Sequence, residues 1–161
     1  TSNWRSAFHR RIQYEYGKAP FFREIKEVVM ESFSEEERSI ADLAISSIQA
    51  VYTYLGKEFC CDRSSRLKPA EAARNEKGAD RLIAITKKSA CSNYVNLSSG
   101  RSLYSKKYFS DRGVRLHFVE SRRIQYRQFT NEFIPNLSII DLLMFCEKEQ
   151  TVEFFSQFSL D

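Results

Sequence analysis

The chain has 161 residues, of which 42% are hydrophobic and 14% aromatic, so it can bury a core, and a disordered protein is excluded. No apolar run approaches the roughly 20 residues that span a bilayer, and no signal peptide is visible, so we expect a cytoplasmic protein. We also expect one domain over residues 1–161, without a metal or a cofactor.

The first third of the chain reads as three helices. Apolar residues recur at every fourth position, which predicts a helix over residues 3–16. Pro20 begins a second helix that carries its own apolar stripe. Ser34 and the three glutamates after it are typical of a helix start, and they predict a third helix that Gly56 ends.

The rest of the chain alternates strands with helices. The predicted elements are a short strand at 57–61, a helix after Gly78, a strand at 93–97, a helix at 103–109, a strand at 114–119 and a terminal helix at 151–158. Strands separated by helices are typical of parallel crossover units. We therefore predict a helix-rich α/β fold with a small, mostly parallel sheet. Because three short strands cover few helices, we expect the chain to be part of a larger α/β fold.

Four cysteines, at positions 60, 61, 91 and 146, fit neither a zinc ribbon nor a secreted disulfide framework. This spacing favours buried, reduced thiols. Cys60 and Cys61 are adjacent, and a redox pair is the alternative interpretation. Adjacent residues of a strand point to opposite faces, which argues for the unreactive state.

Positive charge is concentrated between Lys87 and Arg127. That segment holds ten basic and two acidic residues, a net of +8, whereas the whole chain carries +4. The asymmetry indicates an anionic partner, either a phosphate group or a nucleic acid. A solvated basic face explains the same composition.

A hydroxyl-rich turn connects the strand at 93–97 to the next predicted helix. Its residues Ser98, Ser99, Gly100 and Arg101 could converge on an oxyanion together with backbone N–H groups at the helix start. The turn lacks the glycine pattern of a phosphate-binding loop. An ordinary serine cap followed by a glycine turn is the alternative.

Two histidines are present, which limits histidine-based catalysis. His117 lies in a predicted strand without partners at catalytic or metal-binding spacing, so we expect it to be structural. His9 forms a polar stripe with Arg5 and Gln13 at four-residue spacing on the first helix. This stripe could hold a phosphate or a carboxylate, or it could be a solvated helix face.

The strongest helix start of the chain follows Pro135. Ser138 can cap this helix, and Asp141 stands where the acid of a capping box is found. The simplest role for Asp141 is therefore that of the capping acid, and a catalytic carboxylate is the alternative.

Two segments carry a resemblance to a known family. They are Asn93-Tyr-Val-Asn-Leu-Ser-Ser-Gly-Arg-Ser-Leu-Tyr104 and the run from Tyr126 through Gln128 and Phe133 to Leu137-Ser-Ile-Ile-Asp-Leu-Leu143. Together with scattered positions such as Trp4, His9 and Tyr16, they resemble the C-terminal portion of the WbqC-like family. Members of this family are bacterial proteins associated with surface-polysaccharide (O-antigen) biosynthesis.

The resemblance implies a transferase-type step on an activated or nucleotide-linked sugar, with a phosphate-bearing small molecule as partner. Combined with the residue patterns above, it gives His9 and Asp141 as the expected catalytic residues. The expected substrate-binding residues are Arg5, Ser98, Ser99, Gly100, Arg101, Tyr104 and Gln128. The alternative is a non-catalytic protein that binds nucleic acid or acts as a scaffold.

Overall fold

The structure is a computed structural model that describes residues 4–33, 39–66 and 78–161. Its chain forms two compact units. Unit 1 comprises Thr1–Cys61 and Ile124–Ser156, and unit 2 comprises Asp62–Arg123 and Gln157–Asp161. The predicted helix start at Ser34 lies outside the described residues. None of the described helices is long and apolar enough to cross a bilayer.

Helices dominate the described residues, in agreement with the predicted helix-rich α/β fold. The elements are α1 (Trp4–Tyr16), α2 (Phe22–Glu31), α3 (Ile40–Tyr54), α4 (Gly78–Lys88), β1 (Asn93–Leu97), a 3₁₀ helix (Ser98–Ser102), α5 (Lys106–Ser110), β2 (Arg115–Ser121), α6 (Ile139–Phe145), α7 (Lys148–Phe155) and β3 (Phe158–Leu160). Helices α1, α2, α3, α6 and α7 belong to unit 1, and the other elements belong to unit 2.

Local signals at both ends define α3. The Ser39 side chain accepts a hydrogen bond of 3.1 Å from the Asp42 N–H and so caps the helix start. At the other end Gly56 adopts φ +65°, and the Lys57 N–H donates to the Tyr52 carbonyl at 2.8 Å. This is a Schellman motif, so the prediction that Gly56 ends the helix is confirmed.

The core of unit 1 forms where α2 meets α6. Ile25 of α2 and Leu143 and Met144 of α6 are buried in one apolar cluster. The backbone joins the same two regions, because the Phe21 N–H donates to the Met144 carbonyl at 3.2 Å. This packing fixes α6, and therefore its first turn, relative to the end of α1 and the start of α2.

Unit 2 contains a three-stranded sheet in the order β1-β2-β3. Strands β1 and β2 run parallel, with Asn93 opposite Arg115 and Leu97 opposite Val119. The short β3 joins β2 in the antiparallel direction, so the sheet is mixed. The apolar cluster of unit 2 lies on one face of this sheet, and its buried members are Ile83, Phe109, Val114, Leu116 and Phe118.

Three details differ from the sequence prediction. Residues 57–61 form no strand, because this segment pairs with none of the described strands. The helix predicted over 103–109 is shortened to α5, which starts at Lys106 after the cap Ser105 and ends at Ser110, and the 3₁₀ helix precedes the predicted span. The helix predicted over 151–158 begins earlier, at Lys148, and ends at Phe155 before β3.

The cysteines also differ from the prediction. Cys60, Cys61 and Cys91 are exposed, and Cys146 is buried. Cys60 and Cys61 lie in the irregular segment after α3, and Cys91 follows the end of α4, so none of the three faces a core. The expectation of buried thiols therefore holds at Cys146 alone among the four.

Candidate functional site

Asp141 lies in the first turn of α6 and is 5% exposed. Ser138 caps this helix, because its side chain accepts a hydrogen bond of 3.3 Å from the Ile140 N–H. In a capping box the Asp141 carboxylate would accept from the Ser138 N–H, and among the described residues it does not. Its side chain turns instead toward α1 and the segment that precedes α6.

Three side chains donate hydrogen bonds to the Asp141 carboxylate. The Tyr126 hydroxyl donates to Oδ1 at 2.7 Å, and the Gln128 amide nitrogen donates to the same oxygen at 3.2 Å. The Tyr16 hydroxyl donates to Oδ2 at 3.1 Å. We call Tyr16, Tyr126, Gln128 and Asp141 the carboxylate cluster. A carboxylate has about four acceptor positions, and the described residues leave one position on Oδ2 for a further donor.

Gln128 also fixes the shape of the segment before α6. Its amide nitrogen donates to the Ile134 carbonyl at 3.1 Å, and its amide oxygen accepts from the Ile134 N–H at 2.9 Å. This pair of bonds closes the loop between the two residues as a strand partner would. The third bond, to Asp141, ties the closed loop to α6.

Aromatic contacts support the tyrosines of the cluster. The Tyr126 ring meets Phe133 edge to face with centroids 5.4 Å apart. Phe145, at the end of α6, contacts both Phe129 at 4.8 Å and Tyr16 at 6.5 Å. Edge-to-face pairs of this kind restrict ring orientation, so the hydroxyls reach Asp141 from fixed directions.

Neutral hydrogen-bond donors stabilise the negative charge of Asp141. The side chains that bond Asp141 are two hydroxyls and an amide, and no ion pair with Asp141 occurs within residues 4–33, 39–66 and 78–161. Burial first, and then the Asp141 charge, raises the pKa of Tyr16 to about 12. Burial and the hydrogen bond to Asp141 raise the pKa of Tyr126 as well. Both tyrosines therefore stay protonated and remain donors at neutral pH.

The predicted residues Arg5 and His9 lie on α1, the helix that ends at Tyr16. His9 precedes Tyr16 by seven residues, a rise of about 10 Å along a helix, so it does not join the carboxylate cluster. The His9 ring packs near Phe8 and Phe33, and its buried Nε2 atom has no hydrogen-bond partner among the described residues. Arg5 stacks on the neighbouring Trp4 ring at 5.4 Å.

The predicted turn at 98–101 lies in unit 2. Ser98 and Ser99 are exposed in the 3₁₀ helix, which has no side-chain cap. Gly100 is buried against the Asn96 side chain, which a Cβ at this position would approach to 2.8 Å. Glycine is therefore required at position 100 because the backbone there lies close to the Asn96 side chain. Tyr104 packs edge to face on Phe109 of the unit 2 core.

Arg101 is engaged by two carboxylates of its own chain. It bonds Glu120 at 2.7 Å and also pairs with Asp161, which Lys106 contacts at 3.0 Å. Burial raises the pKa of Asp161, but hydrogen bonds from Lys106 and Arg101 outweigh it and lower that pKa below its usual value. An external anion would have to displace these partners. An oxyanion site at this turn stays a prediction.

Of the predicted site residues, Asp141 and Gln128 come into direct contact in unit 1. Sequence reasoning gave no site role to Tyr16 and Tyr126, although both were positions of the family resemblance. That resemblance was the available signal, because their spacing from Asp141 is not a local pattern. No group of three or more histidine, cysteine or acidic side chains suited to a metal occurs in the described parts of the chain.

Comparison with known proteins gives a family match and a relative. Residues 1–153, nearly the whole chain, match the sequence model of the WbqC-like protein family. The chain is 25% identical over 144 residues to the uncharacterized protein Rv1507c of Mycobacterium tuberculosis (strain ATCC 25618 / H37Rv). That alignment covers 88% of this chain and 60% of the relative, so the chain spans less than two thirds of the relative's length. No solved structure matches the chain.

Proposed function

This chain belongs to the WbqC-like protein family, and from that premise we propose that it takes part in a transferase-type step on an activated or nucleotide-linked sugar. The step would belong to bacterial surface-polysaccharide (O-antigen) biosynthesis. The chain would act as part of a longer WbqC-like protein. The observation that carries the proposal is the buried Asp141 carboxylate with its three side-chain donors.

Such a carboxylate suits the chemistry of group transfer. When an acceptor hydroxyl attacks the anomeric carbon of a nucleotide-linked sugar, the bond from that carbon to the nucleotide phosphate breaks and the nucleotide leaves. A base must accept the proton of the attacking hydroxyl, and a positioned carboxylate can do so. In this proposal the hydroxyl bonds the remaining acceptor position on Oδ2. Tyr16, Tyr126 and Gln128 orient the carboxylate for that contact, and they act as positioning residues.

Asp141→Asn tests the proposal, because asparagine keeps the shape of the side chain and removes its charge. Calorimetric titration of UDP-, GDP- and dTDP-linked sugars into the parent chain should identify a ligand. Asp141→Asn should then lower the affinity at least tenfold. Ser138→Ala is the matched control, because it removes the cap of the same helix without touching the carboxylate.

Thermal unfolding of each variant separates binding from stability. If Asp141→Asn loses stability but keeps the parent affinity, the carboxylate cluster is structural and the proposed role is wrong. If no nucleotide-linked sugar binds the parent chain or the longer gene product that contains it, the substrate class is wrong. Arg101→Ala in the same titration tests the predicted turn. Lower affinity would support an oxyanion site there, and unchanged affinity would show that Arg101 serves only its pairs with Glu120 and Asp161.

A second candidate function, nucleic-acid binding, has support in the basic segment. Arg115, Arg122, Arg123 and Arg127 are exposed and form no ion pair within the described residues. Cations of this kind bind phosphates with a strong salt dependence. Binding of a single-stranded oligonucleotide that weakens steeply between 50 and 200 mM salt would favour this alternative. A lack of binding even at low salt would exclude it.

A further inference from the structure

The sheet of unit 2 has two faces of different environment. On one face, Tyr94 stacks on the buried Phe109 at 5.8 Å, and Leu116 and Phe118 join the same cluster. Helices α4 and α5 contribute Ile83 and Phe109 to this cluster, so both helices cover the same face. The second face carries the alternate residues of each strand.

Strand register places an apolar row across that second face. Leu97 of β1 is opposite Val119 of β2, and Val119 is opposite Leu160 of β3. Val95 and Phe158 lie on the same face, because each is two residues from a member of the row. Polar residues of β2 share this face, namely Arg115, His117 and Ser121, with His117 opposite Val95. We call its apolar residues Val95, Leu97, Val119, Phe158 and Leu160 the open face.

Most of the open face is exposed to solvent. The exposed fractions are 48% for Val95, 65% for Leu97, 46% for Phe158 and 50% for Leu160. Single exposed apolar residues are common on proteins, but a contiguous row over three strands marks a surface that another element covers. Purely parallel sheets have helices on both faces, and β1 and β2 of this sheet form a parallel pair.

We infer that the open face is the docking surface for an apolar helix from a longer WbqC-like protein. The chain spans 60% of the length of its mycobacterial relative, so a longer family member has polypeptide available for this role. A helix is the expected occupant, because one apolar stripe of a helix fits the width of a three-stranded apolar row and completes the second layer. The inference rests on the part of the proposed function that makes this chain a portion of a longer protein. It does not depend on the proposed role of Asp141.

Hydroxyl-radical footprinting of the 161-residue chain and of the longer gene product tests this inference. In the chain, Leu97 and Leu160 should both be labelled, and the exposed residues Tyr14 and Ile40 serve as references. In the longer product, labelling of Leu97 and Leu160 should fall at least fivefold, and the two reference residues should be unchanged.

Three results would overturn the inference. The first is equal labelling of Leu97 and Leu160 in both proteins. The second is protection in the 161-residue chain that rises with its concentration, which would make a second copy the occupant. The third is a gene product no longer than this chain.

A substitution provides a second readout. Leu97→Lys places a charge in the open face, and Ile40→Lys places one on exposed α3 as the matched control. Leu97→Lys should leave the Tm of the 161-residue chain within a few degrees of the parent and lower the Tm of the longer product clearly. Equal effects in the two proteins would contradict a covered face.

Discussion

The Tyr126 hydroxyl and the Asp141 carboxylate are joined by a hydrogen bond of 2.7 Å between residues 15 positions apart. Because the acceptor is charged and buried, Tyr126→Phe should lower the free energy of unfolding by about 1.5–3 kcal/mol. Urea unfolding measures this change. Tyr14→Phe, at an exposed position of α1, is the control and should change stability by less than about 0.5 kcal/mol. Equal stability of both variants would show that the bond contributes nothing.

Alkaline pH should destabilise unit 1 through Tyr16. Its pKa in the folded chain is about 12, above its ordinary value of 10.0, so between these values the unfolded chain has lost a proton that the folded chain retains. The free energy of unfolding contributed by Tyr16 is therefore complete below pH 10 and falls as the pH rises toward 12. Urea unfolding at pH 9, 10 and 11 should show a steeper decline for the parent than for Tyr16→Phe. Parallel declines would contradict the raised pKa.

The four cysteines should differ in reactivity. Cys60, Cys61 and Cys91 are exposed, whereas Cys146 is buried and its pKa is raised to about 11 by burial and then by the Asp141 charge. Because the thiolate is the reactive species, a thiol reagent at pH 8 should modify three cysteines of the folded chain quickly and the fourth only after unfolding. Cys146→Ser should remove the slow reaction alone. A fast reaction of all four thiols would show that Cys146 is accessible.

Ala90 has a backbone conformation that glycine tolerates better. Its φ is 54°, and the Cys91 N–H donates to the Thr86 carbonyl at 3.0 Å, so Ala90 occupies the left-handed position of a Schellman motif after α4. Ala90→Gly should raise the free energy of unfolding by roughly 0.5–1 kcal/mol, because it removes left-handed strain at a smaller entropic cost. Thermal and urea unfolding measure this gain.

Gly113→Ala is the reverse experiment for that prediction. Gly113 has φ +75°, and a Cβ there would meet nothing within 4 Å. Any loss of stability in the Gly113→Ala variant would therefore report backbone strain without a steric clash. We expect a decrease of about 1 kcal/mol. If both substitutions change stability in the same direction, positive φ does not determine their effect.

The elements predicted well are those with signals inside the element or directly next to it. The four-residue apolar spacing located α1, and Gly56 located the end of α3. The third strand was missed, because β3 has three residues and exists only through its register with β2. The exposure of Cys60 and Cys61 has a related cause, because the segment that the sequence predicts as a strand is irregular.

The carboxylate cluster shows the same contrast between features with local signals and features that depend on distant residues. Sequence placed Asp141 correctly in the first turn of a capped helix, because Ser138 and the apolar run after it are local signals. The orientation of the carboxylate could not be predicted, because one of its donors, Tyr16, is 125 residues away. Local spacing favoured a capping box, and the distant tyrosines determine the observed arrangement.

Unit 1 is discontinuous, since Thr1–Cys61 and Ile124–Ser156 are separated by most of unit 2. During translation, α1, α2 and α3 leave the ribosome long before α6, which supplies Leu143 and Met144 to their shared core. Domains otherwise tend to fold as they emerge, beginning with the N-terminal one. Until α6 emerges, Ile25 and Phe22 of the nascent helices are therefore incompletely covered, and this interval is where chaperone binding or aggregation of the growing chain would occur.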